Sequence, residues 1–395
     1  MKKSIVKLFG IIAVSASLFT SCSSSNDSTP SSTFVVDANK FEGTIKDGEV
    51  ILNPATTYKL SGKLLVSSGA TLTIPAGTRI EGTGGTASYI AIAQGGKIYV
   101  NGTATNPVVM TSGLATKAAG DWGGLVICGK APINIVSGGA TTAQAEVSDL
   151  TYGGNIANDN SGSLKYLRIE YSGARYSPTK EFNALSLFGV GSGTTIDYVQ
   201  LYHGSDDGIE FFGGTVNTSH LVSFGNEDDQ FDWTEGWSGT NSYWYGKEAF
   251  GLGNRGIEAD NYELGFLNTP ISNPTITNLT LVGPGSTADP LVYTENDGLK
   301  LRRGTKGIFT NVVLSGWATG VNVESDESIA AVVAGTLKAT SVNFISDIAT
   351  KTKGKTTAGT SSNVSAFVTS ESSVATGAGN GSAAPDWASG WALFQ

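Results

Sequence analysis

Cysteine and histidine are almost missing. Cys22 and Cys128 are the only cysteines in 395 residues, and His203 and His220 the only histidines. Zinc centres built from Cys and His are therefore close to excluded, as is haem ligation of the usual kind. Once Cys22 is consumed by the processing described below, Cys128 has no disulfide partner, so stability must come from packing and backbone hydrogen bonds. Positive charge is also scarce. With 25 Lys and Arg against 34 Asp and Glu, the formal net charge is −9, which argues against nucleic acid and against an anionic lipid surface as partners. Cations, neutral glycans and proteins remain. No convincing amphipathic helix is visible after residue 23, and no nucleophile-elbow motif supports a serine-histidine triad.

The one long apolar run lies at the start. Lys2 and Lys3 precede an apolar stretch from Ile5 to Phe19, too short for a permanent bilayer span and suited to a signal peptide. It ends in Leu18-Phe19-Thr20-Ser21-Cys22, which resembles the bacterial lipobox. That resemblance implies lipidation of Cys22 and a lipid anchor in the outer membrane, with display at the cell surface; the plainer alternative is an ordinary signal peptide with an incidental cysteine. The expected organisation is a signal peptide over 1–22, a polar tether over 23–33 and a single domain over 34–395.

Glycine is abundant, at 52 residues beside 11 prolines, and with many Val, Ile, Thr and Ser it favours numerous short strands joined by turns. Four segments share one acidic pattern. They read Asp206-Asp207-Gly208-Ile209-Glu210-Phe211, Asp228-Asp229-Gln230-Phe231-Asp232-Trp233, Asn254-Arg255-Gly256-Ile257-Glu258-Ala259 and Asn296-Asp297-Gly298-Leu299-Lys300-Leu301, starting 22, 26 and 42 residues apart. A repeat of a little over 20 residues suits one coil of a β-solenoid, the longer gaps being loops between coils. Stacked coils place equivalent residues about 4.8 Å apart. Ile209, Phe231, Ile257 and Leu299 then form one apolar column, and Phe211, Trp233, Ala259 and Leu301 a second. Glu210, Asp232, Glu258 and Lys300, lying between the columns, face outward because side chains alternate along a strand. Three carboxylates in file repel one another and need a cation, a shared proton or a basic group; Lys300 is placed to close the row.

Further repeats run through the chain. One group is Leu64-Leu65-Val66, Ala70-Thr71-Leu72-Thr73-Ile74, Gly77-Thr78-Arg79-Ile80 and Gly96-Lys97-Ile98-Tyr99-Val100. A second is Leu164 to Ile169, Ile196 to Leu201, Ile276 to Leu281 and Phe309 to Leu314, with apolar residues at every second or third place. The run from Gly69 to Thr78, then Gln94 to Ala104, then Asp121-Trp122-Gly123-Gly124-Leu125-Val126, resembles outer-membrane lipoproteins with a right-handed parallel β-helix, similar to the pectate-lyase-like superfamily. The resemblance covers roughly residues 45 to 345 and implies an all-β solenoid. It implies little about activity, since many members have no assigned reaction. Lyases of similar fold use calcium to bind a uronate and a basic residue to take the neighbouring proton. This sequence lacks the Asn-Thr-Asp, Gly-His-Gly and Arg-x-Lys set of the pectin-cleaving hydrolases, offering only His203-Gly204 and Asp206-Asp207.

Three readings of the acidic face stay open. Asp206, Asp207, Glu210, Asp228, Asp229 and Asp232 offer enough oxygens for calcium, which takes six to eight. Glu210, Asp232 and Glu258 are candidate catalytic carboxylates: neighbours near 5 Å suit a retaining pair, and residues two coils apart an inverting one. Alternatively the Asp and Asn residues only shape turns, where their side chains cap local backbone, and Arg255 neutralises its column neighbours Asp229 and Asp297. Trp233, Trp237, Tyr243, Trp244 and Tyr245 are candidate rings for stacking on sugars, with Lys300 and Arg302 as polar ligands. Their exposure decides between glycan contact and core. The leading expectation is a glycan-binding or uptake-accessory module with polysaccharide and an outer-membrane transporter as partners, against a polysaccharide lyase or glycoside hydrolase, or a structural surface protein. Trp122 is expected at a coil corner, Lys351 to Pro385 as a mobile excursion, and Trp387, Trp391 and Phe394 docking back over the last coil.

Overall fold

The computed structural model describes residues 1, 30–135, 140–249, 251, 253–345 and 347–395. Cys22, the expected signal peptide and most of the expected tether lie outside the described residues. The end of that tether already docks: Ser32 N donates to Glu49 O, and Thr33 N to Asp47 Oδ1 at 2.8 Å.

From there the chain winds as a parallel β-helix whose coils turn through three faces. The front face is a 12-stranded sheet in chain order from Gly43–Ile45 to Ser361–Ser362, every neighbour parallel except the last pair. Two further faces make up the second large sheet. In early coils they are separate strands, such as Thr71–Pro75 and Arg79–Gly82, divided by a Pro-Ala-Gly-Thr turn. In later coils they fuse. Gly162–Glu170 pairs with Lys97–Asn101 through its first half and with Val108–Ser112 through its second.

The bend between those halves is one left-handed residue per coil. Tyr166, Tyr198, His220, Tyr243, Asn278, Asn311 and Ser341 all have φ between 48° and 64°, and strand pairing skips each of them. This conformation is costly without help for residues other than glycine. Here stacking supplies the help: Tyr166 lies on Tyr198 at 4.4 Å, Tyr198 on His220 at 4.2 Å and His220 on Tyr243 at 4.8 Å, each pair within 10° of parallel. Farther along, Asn311 donates to Asn278 at 2.7 Å. One skipped residue per strand also explains why apolar residues recur at every second or third place.

The front columns have the register expected from the acidic repeat. Ile209 pairs with Phe231, Phe231 with Ile257 and Ile257 with Leu299; Glu210, Asp232, Glu258 and Lys300 form the adjoining outward column. The glycine of the repeat is a close-approach device. A Cβ on Gly256 would lie 2.5 Å from Gly298 O, and one on Gly298 2.7 Å from Gly320 O. Gly256→Ala is expected to cost about 1–3 kcal/mol through overpacking, read as a lower urea midpoint at unchanged slope; an unchanged midpoint would contradict that packing.

Three expectations need correction. A helix exists, Asp326–Val333, capped by Ser325, which accepts from Ser328 N, with Asp326 and Glu327 in its first turn. It buries only Ser328, Ala331 and Val332, too few to show a helical period. The segment from Lys351 is not a mobile excursion: Thr350–Lys355 pairs with Thr319–Glu324, and Val368 and Glu371 bridge to Ala339 and Val342. Nor does the C-terminal segment cover the last coil. It runs back over the third face, where Trp391 packs with Val222, Tyr245 and Ala378. Trp122, as expected, is buried where a front strand begins, its Nε1 donating to Glu170 O.

Candidate functional site

The outward column of the front sheet forms the floor of a cleft of about 460 Å³. Glu210, Asp232 and Glu258 are contributed by the floor strands Ile209–Phe212, Asp229–Thr234 and Arg255–Ala259. The excursion after Trp122–Cys128 contributes Ile135, Gln144, Glu146 and Tyr152 to one wall; the loop after Arg255–Ala259 contributes Tyr262, Glu263 and Leu264 to the other. Outward from the solenoid therefore does not mean open to solvent. Glu210, Asp232 and Glu258 are each only partly exposed.

Along the column the electrostatics change abruptly. Glu258 sits 2.7 Å from Arg255 Nη1 and is also paired with Arg302. Arg255 reaches back to Asp229, 3.0 Å away and 1% exposed, and forward to Glu295 at 2.6 Å. Burial works against ionisation of Glu295, but Lys300 and Arg255 outweigh it and hold its carboxyl down at about 2. Lys300 itself turns to Glu295 and Glu324 and makes no ion pair with Glu258; two arginines, not this lysine, close the row. Asp297 accepts from Asn322 Nδ2 at 2.8 Å, so of the two aspartates expected to pair with Arg255 only Asp229 does.

Glu210 and Asp232 have no such partner among the described residues. Burial, then the mutual charge of the stack, pushes both carboxyls well above the usual range. Glu210 accepts one hydrogen bond, from Asn183 Nδ2 at 2.8 Å. Around it are buried oxygens with no hydrogen-bond partner: Oδ1 of Asn183, Oγ of Ser186 and Oδ1 of Asp232. Ser186 is paired in register with Glu210, which places it next in the outward column. Oxygen atoms of Asp207, Glu210 and Asp232 lie within 4.8 Å of one another, as do those of Asp206, Asp207 and Asp228, and of Asp229, Asp232 and Glu258. The last group is already served by the guanidinium of Arg255. The first is not, and its donors are all hard oxygens, the ligand type that calcium takes.

A second acidic centre was not legible in the sequence. Glu235, 7% exposed and held at φ 57°, accepts from Tyr152 OH at 2.5 Å. Burial first, with the nearby charge of Glu146, pushes its carboxyl up to about 7 despite that hydrogen bond. Tyr152 lies 83 residues away, in an excursion outside the repeat, so no spacing announced the pair. Ser186 in strand Leu185–Phe188, and Asn183 just before it, were missed for a related reason, since that strand carries no acidic residue.

The aromatic expectation fails for all five rings. Trp233, Trp237 and Trp244 are fully buried, with Trp237 stacked on Phe211 at 3.9 Å and Trp244 on Phe231 at 4.6 Å. They fill the solenoid and cannot meet a sugar. Tyr245 is 2% exposed, and Tyr243, though 36% exposed, sits on the far corner stacked on His220. The aromatic residues that line the cleft are Tyr152, Phe188, Phe212 and Tyr262, and of these only Tyr262 is not buried.

The three-faced solenoid defines the class of protein, a parallel β-helix. The family model for the pectate-lyase like beta helix domain matches residues 43–392, and the chain belongs to that family. No curated protein and no solved structure matches it.

Proposed function

We propose that the chain is a surface-anchored polysaccharide-binding protein, tethered through Cys22, whose cleft holds calcium at Asp207, Glu210 and Asp232 and binds glycan beside it. The observation that carries this reading is the group of unpartnered buried oxygens on Asn183, Ser186 and Asp232 around a carboxylate without a counter-cation. Buried oxygens in this state cost free energy unless something satisfies them. A bound calcium ion would supply positive charge and leave ligand positions open to sugar oxygens. The chain's own residues would do the rest: Tyr262 offers a ring face at the rim, and Arg302 and Arg303 fix the far end of the floor through Asp260, at 2.8 and 2.6 Å.

The test is thermal melting of the full chain in detergent with calcium or with chelator, paired with electrophoretic retention on polysaccharide gels. Calcium is expected to raise Tm and to be required for retention, and Glu210→Gln with Asp232→Asn is expected to abolish both effects. Retention insensitive to chelator, or a calcium shift that survives the double substitution, would sink the metal part of the reading.

A second reading is turnover by acid-base chemistry, favoured by the Glu235–Tyr152 pair in the same cleft and by the raised Glu210 beside Asp232. A carboxyl kept protonated near neutrality is what a general acid requires. Reducing ends or unsaturated products from any polysaccharide, lost in Glu235→Gln, would establish it; silence on a substrate that binds would leave the binding reading alone.

A further inference from the structure

The carboxylate floor and the C-terminal segment load different faces of the same coils. We infer that residues 376–395 are a brace that holds the carboxylate-bearing coils in register, so that strap docking and cleft geometry are coupled.

Coils of a solenoid ordinarily touch only their neighbours, and stability is then a sum of local terms. Glu210 and Asp232 place buried carboxyls among oxygens that have no hydrogen-bond partner among the described residues, so opening of these two adjacent coils is expected to be easiest. The strands that lead into the floor strands are Thr195–Tyr202, Asn217–Phe224 and Thr240–Lys247. Their third-face residues Gln200, Val222 and Tyr245 form one outward column, which continues to Thr280 and Val313.

The strap follows that column in reverse. Thr376 N donates to Asn311 Oδ1 at 2.9 Å, and Thr280 Oγ1 accepts from Ala378 N and donates to Gly381 O, both at 2.9 Å. Trp387 stands edge-on to His220 at 5.0 Å, and Trp391 edge-on to Tyr166 and Tyr198. At the far end the Gln200 amide donates to Leu393 O at 2.6 Å and accepts from Leu393 N at 2.8 Å, as a strand edge would. Arg168 adds a bond to Trp391 O. Contacts separated by as many as 223 residues thus tie several coils together across the third face, as Tyr152–Glu235 and Asn134–Asn261 do beside the cleft. Such ties make opening of one coil cost the contacts of several.

The experiment is hydrogen exchange by mass spectrometry on the full chain, without added metal or glycan, comparing Trp391→Ala and Gln200→Ala with the unaltered protein. Protection is expected to fall about tenfold or more in Thr195–Tyr202, Asn217–Phe224 and Thr240–Lys247 and in the floor strands Ile209–Phe212 and Asp229–Thr234. The early strands Lys63–Val66 and Thr71–Pro75 are expected to be unchanged. Loss confined to 376–395, or spread evenly over all coils, would overturn the brace. The experiment involves neither calcium nor glycan, so failure here leaves the binding reading untouched.

Discussion

Replacing Arg255 by alanine is expected to destabilise the protein by about 3–5 kcal/mol, the usual cost of removing one partner from a buried ion pair. Arg255 is 9% exposed and Asp229 1%. Its guanidinium donates to both Asp229 oxygens, at 3.3 and 3.0 Å, and also sits against Glu258 and Glu295. Without it three carboxylates on adjacent coils lose their shared cation, and Asp229 has no access to water. Arg255→Met combined with Asp229→Asn is expected to recover much of the loss, since the uncompensated charge goes with the arginine. Urea denaturation of the three proteins measures both effects. A single substitution costing less than about 1 kcal/mol, the range of an exposed pair, would show that the network contributes little.

Stability of the calcium-free protein is expected to fall as pH rises from 5 to 8, the reverse of the usual carboxylate behaviour. Asp206 and Glu235 titrate at about 8 and about 7 in the folded chain, against about 3.9 and 4.3 for unfolded Asp and Glu. The cause in both is burial first, then neighbouring acids, Asp228 for one and Glu146 for the other. The folded state therefore holds more protons than the unfolded state between those values, and the stability associated with these groups, complete below pH 4, is lost as pH climbs through 7 and 8. Asp207, Glu210 and Asp232 are raised in the same direction. Glu295, held at about 2, acts oppositely, but only on the acid side of pH 4. Thermal melting in chelator at pH 5, 6, 7 and 8 is expected to show a Tm falling by about 1–2 °C for each kcal/mol lost. A flat or rising series would mean that the acids are compensated after all.

The parts of the fold legible in the sequence are those that repeat. Ile209, Phe231, Ile257 and Leu299 share a column because each coil must bury the same position, and the outward placement of Glu210, Asp232 and Glu258 follows from strand alternation alone. The αL corner was visible only as a disturbed period, because Tyr, His, Asn and Ser occupy it in turn and no single residue type marks it. The tryptophans misled because richness in aromatics near an acidic motif is equally a property of a wide core, and Trp233 occupies an apolar column that the repeat itself defines.

The amino-acid sequence by itself determined the solenoid, its front register and the file of acids, since alternation and repeat length are local properties that recur with every coil. Tertiary structure decided which acids meet a cation and which do not. Arg255 meets Glu258 along one strand but Arg302 comes to it from the end of the next front strand, across a long loop; Tyr152 comes to Glu235 from an excursion outside the repeat, and the strap reaches Gln200 from 193 residues away. Contacts between aperiodic segments depend on shape and hydrogen bonding at the place where they dock, and no period in the chain encodes that place.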